Sequence, residues 1–347
     1  MNKKAIITGG AGFIGVNLAR YLLQKGRMVV IYDNLSRDGV EINLEWLLSC
    51  KYKNMKFIKG DVRDYKKLKE VVKGCTEMYH LAAQVAVTKS VENPVEDFEV
   101  NAAGTLYLLE AVRKISPSAV FIFASTNKVY GELLHIKLKE GKTRYLLQEK
   151  TDGITELENL DFHSPYGNSK GSADQYVRDY YRIYGLKTVV FRQSCIYGAH
   201  QMGNEDQGWV AHFIIESLLS KKLTIYGDGK QIRDLLDVED LIRAYLLAVE
   251  KIDKVKGEIF NIGGGPANTF SLLELIGFLK KILGIDIRYS FTKWRPGDQK
   301  LFVSNNSKIT KQLGWKPSIS KEKGVEKLAA WIWDNINVIK NTDKKKL

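Results

Sequence analysis

A doubly wound parallel α/β sheet carrying a smaller, interleaved C-terminal α/β domain is the fold this sequence predicts. Short β-branched runs alternate with amphipathic stretches, a glycine-rich turn follows the first run at once, and the stretch behind that turn is apolar on one face. Ala5–Thr8, Met28–Tyr32, Lys56–Ile58, Met78–Ala82 and Val120–Ser125 read as strands, each bounded by turn residues and separated by helical patterns. Thr188–Arg192 and Glu258–Asn261 read as later strands of the same kind. Past Arg192 the pattern becomes irregular and richer in glycine and aromatics, with helices expected at Gln207–Leu219, Val238–Val249, Ser271–Leu283 and Gly324–Asn335. Residues 1–192 and 234–262 are therefore assigned to a dinucleotide-binding domain, and 193–233 and 263–340 to a substrate domain over the carboxyl ends of the strands. The sequence has no internal repeat, low-complexity segment or proline-rich linker.

Composition narrows the function classes. A chain of 347 residues with 44% apolar content can bury a substantial core. Cys50, Cys75 and Cys195 are odd in number and far apart, with no CxxC and no nearby histidine cluster; they read as reduced thiols of a cytoplasmic protein, with neither a disulfide framework nor a metal site. The basic start Met1-Asn2-Lys3-Lys4 leads into an apolar run too short for a secretory signal, and no run approaches the roughly 18 apolar residues of a membrane helix. The net charge of +13 raises nucleic acid as a partner, but the lysines are scattered over helix faces rather than interleaved with aromatics in one stripe. They read instead as a solvated surface, of a kind also met in heat-adapted proteins, whose field favours an anionic small molecule. Lys340–Leu347 reads as a frayed tail.

Thr8-Gly9-Gly10-Ala11-Gly12-Phe13-Ile14-Gly15 joins the first strand to a helix over Val16–Gln24. A lone GxGxxG is weak evidence, but strand, glycine turn and helix in this order at the N-terminus make a Rossmann dinucleotide site. The glycines let the backbone approach a pyrophosphate, whose charge then meets the free N–H groups at the helix start. Asp33 ends the second strand, where a carboxylate can accept both ribose hydroxyls and repels a 2′-phosphate, so NAD is expected over NADP; Arg37 is the one residue that speaks for the phosphate. Asp61 and Val62 are placed to meet the adenine, although Asp61 also reads as a helix N-cap. The small pair Ala82-Ala83 permits close approach. Candidate cofactor residues are thus Gly9, Gly12, Phe13, Ile14, Gly15, Asp33, Asn34, Ser36, Arg37, Asp61, Val62, Leu81, Ala82, Ala83, Gln84 and Asn101, with Tyr166 and Lys170.

Tyr166 and Lys170 stand four apart at the start of a long helical pattern and share a face. A tyrosine with pKa near 10 needs about 4 kcal/mol of preferential phenolate stabilisation to titrate near 7, which an adjacent ammonium and a positive nicotinamide ring can supply. Thr126, closing the fifth strand, can hydrogen-bond the same substrate hydroxyl. A YxxxK alone is mostly surface decoration; with the glycine turn and the strand-end hydroxyl it reads as a catalytic set of Thr126, Tyr166 and Lys170.

TGGAGFIG, Asp33, His80-Leu81-Ala82-Ala83, Ser125-Thr126-Asn127-Lys128-Val129-Tyr130-Gly131 and Tyr166-Gly167-Asn168-Ser169-Lys170 together resemble the extended short-chain dehydrogenase/reductase superfamily, in its sugar-nucleotide branch. Within it the chain resembles the CDP-paratose 2-epimerases, also called CDP-tyvelose 2-epimerases, as far as about Trp333. The marks are the 125–131 run, Asp161–Gly167, Gly171–Tyr176 and Asp206-Gln207-Gly208-Trp209-Val210. The resemblance implies a tightly held NAD recycled at each turnover, a nucleoside-diphosphate sugar as substrate with CDP favoured, and a homodimer or homotetramer. It also implies C2 of a 3,6-dideoxyhexose as the reacting carbon, a detail that spacing and composition do not supply, and a place in lipopolysaccharide O-antigen synthesis.

Related 4,6-dehydratases carry an Asp-Glu pair just after the hydroxyl, and here those positions are Asn127 and Lys128. Neither can act as a carboxyl acid, so a hydroxyl, a tyrosine and a lysine around NAD remain, able to oxidise an alcohol and reduce it again. Tyr166 is expected to take the hydroxyl proton, Thr126 to position the hydroxyl, and Lys170 to lower the tyrosine pKa and hold the nicotinamide ribose. By resemblance Arg233 and Arg295 match diphosphate-binding arginines and Asp298 a ribose-binding carboxylate; Gln84, Thr126, Asn127, Lys128, Gln193, Ser194, Gln207 and Gly208 complete the candidate substrate residues. Trp209 reads as either pocket wall or core, His163 and His200 as hydrogen-bonded structural residues, and 132–165 as a partly ordered cover on the sugar. Asn168, Ser194-Cys195-Ile196 and Gly263–Pro266 depart from the tyvelose pattern, leaving another nucleoside diphospho-hexose open. A 4-epimerase and a non-catalytic NAD-binding protein are the alternatives.

Overall fold

The computed structural model describes residues 3–149, 152–295 and 297–344. Seven strands form one parallel sheet, numbered here in chain order through that sheet: β1 (Lys4–Thr8), β2 (Met28–Asp33), β3 (Met55–Lys59), β4 (Glu77–His80), β5 (Val120–Thr126), β6 (Thr188–Gln193) and β7 (Ile259–Ile262). Their spatial order is β7-β6-β5-β4-β1-β2-β3. Registers such as Ile6↔Val30, Ile6↔Met78 and Ile122↔Val189 align the buried side chains of successive strands. Helices cover both faces, which is why the central strands are near-continuous apolar runs, and two buried clusters sit on either side of the sheet. The chain leaves β1 toward β3 on one side and toward β7 on the other. The crevice between β1 and β4, at their carboxyl ends, is the switch point where such sheets bind ligands.

Strand and helix positions agree with the sequence reading to within a residue or two at most ends. The exceptions are local. The fourth strand stops at His80 because Leu81–Ala83 turns under the glycine loop, and the first helix begins at Phe13. The last helix is twice the expected length, Lys321–Lys344, so the expected frayed tail is helical up to Lys344; Lys345–Leu347 lie outside the described residues.

The second body is built around Ile232–Asp237. It pairs antiparallel with Thr269–Ser271 and parallel with both Leu301–Phe302 and Cys195–Tyr197. Helices Trp209–Leu218, Leu272–Leu283 and Lys321–Lys344 pack their apolar faces into a third buried cluster. Leu272–Leu283 is fixed at its start by a reciprocal Ser271/Glu274 capping box and stopped by Gly284 in the left-handed region. Among the described residues no helix is long and apolar enough to cross a membrane.

The 132–165 segment, expected as a partly ordered cover, carries a hairpin among its described residues. Its hairpin, Leu138–Glu140 with Tyr145–Leu147, is tied to the second body. Tyr145 N–H donates to the Lys230 carbonyl at 3.0 Å, Arg144 pairs with Glu274, and Tyr145 Oη donates to Asp228 at 2.5 Å. Lys150 and Thr151 lie outside the described residues.

Candidate active site

The glycine turn closes on β4. Gly9 has φ +68°, and a Cβ there would lie 2.6 Å from the Ala82 nitrogen; one at Gly15 would lie 2.4 Å from the Gly9 carbonyl. Only hydrogen fits at either place, so helix, turn and Leu81-Ala82 are held in contact. The helix Phe13–Gln24 starts at Gly12 with no side-chain cap and no acidic residue in its first turn. Its first N–H groups and positive dipole end are thereby left to an anion, which is what a dinucleotide pyrophosphate requires.

Asp33 closes β2 with its carboxylate held by the N–H groups of Ala11 (3.0 Å) and Leu35 (2.9 Å). Burial raises its pKa against the pull of those bonds. Asn34 donates to Asp61 at 2.9 Å, and Arg63 grips the same carboxylate at 2.8 and 2.9 Å, holding Asp61 down at about 2. The N-cap role considered for Asp61 belongs to Asp64, which accepts from Lys67 N–H. Val62 is buried, Ser36 is exposed, and Arg37 is half-buried beside Asp38.

Asn101 occupies a π-helical turn, Glu99–Ala103, a distortion that recurs at functional sites. Its side chain accepts from Gln84 N–H at 2.9 Å and donates toward the Gln84 carbonyl, Asp97 and Ser169. Asp97 was not singled out in the sequence. It is fully buried, accepts from Gln84 Nε2 at 2.8 Å, and takes the Ser169 hydroxyl at 2.5 Å. Asp97 and Asn101 are four apart on one helical face, which was the signal available.

The helix Ser164–Tyr184 carries the tyrosine and the lysine, with Pro165 in its first turn and Gly185 (φ 71°) ending it. Lys170 is buried, donates to the Ala124 carbonyl at 2.7 Å, and lies 4.2 Å from the Phe123 ring centre. Burial brings its pKa down to about 7, against Asp174 and Asp97. The Tyr166 phenol moves the other way, up to about 12: burial dominates, the Thr126 hydroxyl pulls down and Asp97 pushes up. The expected lowering of the tyrosine by the lysine is therefore not seen in the chain by itself. Lys170 lends one N–H to the Ala124 carbonyl, and stabilisation of the phenolate also calls on the positive cofactor ring expected beside it.

Behind this helix, buried Asp174 accepts from Nε and Nη2 of Arg192, at 3.0 and 2.9 Å, and from the Ser125 hydroxyl at 2.7 Å. Arg192 also meets Tyr130 Oη at 3.0 Å, which donates to Asn261 at 2.7 Å. The ends of β5, β6 and β7 are thus locked to the helix that bears Tyr166.

On the second body, Arg233 donates to Asp298 at 2.6 Å, while Arg295 stacks at 3.8 Å over Tyr226 with Asp206 at 3.7 Å. Lys128 Nζ donates to the Gly297 carbonyl at 3.0 Å and lies 3.6 Å from Asp298; Asn127 donates to Gln299 at 3.1 Å. Gln193 bonds Tyr245 and Ser194 bonds buried Asp234, so both hold scaffold partners. Gln207 exchanges backbone bonds with Asn204 and keeps a buried, unpartnered Oε1; Gly208 (φ 74°) opens the next helix. Trp209 is half-buried and donates to Cys195 Sγ at 3.0 Å. His163 faces Glu132 at 3.4 Å. His200 lies between Trp46 and Trp331 with its ring tilted against both, and its carbonyl accepts from Asn43 at 3.1 Å, a structural role as expected. Among the described residues, no cluster of His, Cys, Asp or Glu could hold a metal ion.

Residues 6–328 match the family model described as GDP-mannose 4,6 dehydratase. The chain is 46% identical over 335 residues to a CDP-paratose 2-epimerase of Salmonella typhi, covering 94% of this chain and 98% of that protein. It is 33% identical to a putative UDP-glucose 4-epimerase of Methanocaldococcus jannaschii, over 95% and 98% of the two chains. The structure superposes with a TM-score of 0.83 on a UDP-glucuronic acid 4-epimerase from Bacillus cereus solved with UDP-glucuronic acid and NAD, at 30% identity over 95% and 99% of the two chains.

Proposed function

The chain belongs to the GDP-mannose 4,6-dehydratase family of extended short-chain dehydrogenases/reductases, and from that premise we propose that it is an NAD-dependent isomerase inverting one carbon of a nucleoside-diphosphate sugar. The observation that carries this reading is the chemistry of the β5 end. A hydroxyl, a phenol and a buried lysine converge there, while the two positions after the hydroxyl hold an amide and an ammonium instead of a carboxyl pair. Nothing in that set can donate a carboxyl proton to a leaving hydroxyl, so elimination of water lacks its acid.

The uncapped helix start at Gly12–Gly15 would hold the pyrophosphate of NAD, Asp33 its adenosine ribose, and Asn101 and Lys170 the far end. When bound, NAD accepts the carbon-bound hydrogen of the sugar as hydride and gives it back. Tyr166 takes the hydroxyl proton at its phenolate oxygen and later returns it, with Thr126 orienting that hydroxyl. Between the two transfers the ketosugar presents its opposite face. Arg233 and Arg295 take the diphosphate, for which a planar guanidinium fork is suited, and Asp298 the nucleotide ribose.

The finer reading is C2 of a CDP-hexose, paratose to tyvelose, supported by the 46% identity to the Salmonella epimerase. Residues 1–192 with 234–262 would serve the cofactor, apart from 234–237, which stand in the central strand of the second body, and 193–233 with 263–340 the sugar nucleotide. A cytoplasmic homodimer or homotetramer belongs to the same proposal. A second reading, epimerisation at C4, rests on the 33% identity to the putative UDP-glucose 4-epimerase. Incubation with CDP-paratose deuterated at C2 tests both: label retained in CDP-tyvelose is expected, and washout of deuterium into solvent would falsify hydride return. Turnover of UDP-glucose but not CDP-paratose would select the second reading.

A further inference from the structure

We propose that Lys128 is a positioning residue for the sugar nucleotide, its ammonium latching the turn behind Thr126 to the Gly297-Asp298-Gln299 segment. This deepens the sugar-nucleotide reading and rests on it. The short 3₁₀ turn Asn127–Tyr130 is stitched to that segment along its length. Asn127 Nδ2 donates to Gln299 Oε1 at 3.1 Å, Lys128 Nζ to the Gly297 carbonyl at 3.0 Å, and Gln299 Nε2 to the Gly131 carbonyl at 2.6 Å. Asn127 and Gln299 are buried, and the Thr126 hydroxyl accepts from Lys128 N–H at 3.2 Å. A shift of the 297–299 segment therefore moves the residue that holds the reacting hydroxyl.

Charge gives Lys128 a second duty. Asp298 faces Arg233 at 2.6 Å and Lys128 at 3.6 Å, with Arg295 a weaker third cation; burial resists ionisation, but together they hold its carboxyl below the ordinary range. Once a diphosphate takes up the forks of Arg233 and Arg295, Lys128 is the cation left to keep Asp298 ionised and aimed. An ammonium has three donors, so it can serve the Gly297 carbonyl and the carboxylate together. A glutamate at this position, as in the dehydratase pattern, would set two carboxylates against each other beside the diphosphate. The Lys128–Asp298 pair and the dehydratase acid are mutually exclusive in this frame, so the substitution that removes elimination chemistry also supplies nucleotide anchoring.

The test uses the full chain with its NAD, titrated calorimetrically with CDP and with UDP, alongside KM and kcat for the turned-over sugar nucleotide. K128M is expected to weaken nucleoside diphosphate binding on the order of tenfold and to raise KM with a smaller effect on kcat. K128R should recover most of the loss, and K128E should bind more weakly than K128M, because the loss follows charge rather than size. Bound NAD, measured after denaturation, should stay constant across the series and certifies the fold of each variant. Unchanged affinity in K128M, or equal losses in K128M and K128R, overturns the latch while leaving the epimerase reading intact. Absence of CDP and UDP binding in the unaltered protein would overturn the sugar-nucleotide reading and the latch with it. If K128E fails to fold, the ranking of K128R above K128M decides.

Discussion

The two ends of the crevice meet negative charge in opposite ways. At the glycine turn the chain offers backbone: a helix start with no cap, no acidic neighbour in its first turn, and glycines that nothing larger can replace. At the second body it offers side chains, and those cations are already matched, Arg233 with Asp298 and Arg295 with Asp206. A backbone site cannot rearrange and carries no mobile countercharge, which suits a cofactor kept through turnover. A site of paired side chains exchanges an internal carboxylate for a phosphate at each cycle, which suits a ligand that must leave.

The largest effect is expected between the two ends, where the chemistry sits. Y166F should lower kcat by about 10²–10⁴-fold, the range for removing a general acid-base, with bound NAD and nucleoside diphosphate affinity unchanged. Loss of either ligand instead would mean that the phenol serves binding.

The contrast itself is broken or kept by two further variants. G15A places a Cβ 2.4 Å from the Gly9 carbonyl, and backbone cannot yield there; the protein should purify with at least about tenfold less NAD, measured after denaturation. If G15A retains its cofactor, the rigid-backbone account of that end fails. R233M should weaken CDP binding by about 10–100-fold, the worth of charge-assisted hydrogen bonds. Raising salt should weaken the unaltered protein's CDP binding while its NAD content stays fixed, since salt screens pairs of full side-chain charges more than an anion held by short backbone N–H bonds. Equal salt sensitivity at both ends would erase the distinction.

The same contrast explains what the sequence made legible. The backbone end announces itself as a contiguous motif, so Gly9–Gly15, Asp33 and the parallel, doubly wound character of the large sheet could be read directly, while its strand order could not. Buried, largely apolar runs marked the strands other than the edge strand β3, where Lys56 and Lys59 are exposed. The short strands Cys195–Tyr197 and Leu301–Phe302 could not be read, since two or three residues carry no period. The side-chain end depends on partners far apart in the chain, such as Asn127 with Gln299 and Lys128 with Asp298, and spacing holds no trace of them. Resemblance flagged Arg233, Arg295 and Asp298, but not that two of them pair with each other. The i,i+4 spacing puts Tyr166 and Lys170 on one helix face, but the burial and the Ala124 carbonyl that act on their charges are tertiary and leave no trace in the sequence.

Asp97 gives the smallest and most discriminating effect, since it acts on Tyr166 and Lys170 without being placed to touch substrate. Its carboxylate is held by Ser169 and Gln84, with Asn101 alongside, and no cation is bonded to it. Among several influences it pushes the Tyr166 phenol up and the Lys170 ammonium up, since a nearby negative charge disfavours phenolate and favours ammonium. The active form holds a phenolate and an ammonium, so the two limbs of the kcat–pH profile report the phenol and the lysine. D97N removes the negative charge and keeps the shape and most hydrogen bonds, so both pKa values should drop and both limbs of the kcat–pH profile should move to lower pH, each by less than about one unit. A purely structural carboxylate would lower kcat at every pH and leave the limbs in place. Movement of one limb alone would mean that Asp97 acts on only one of the pair.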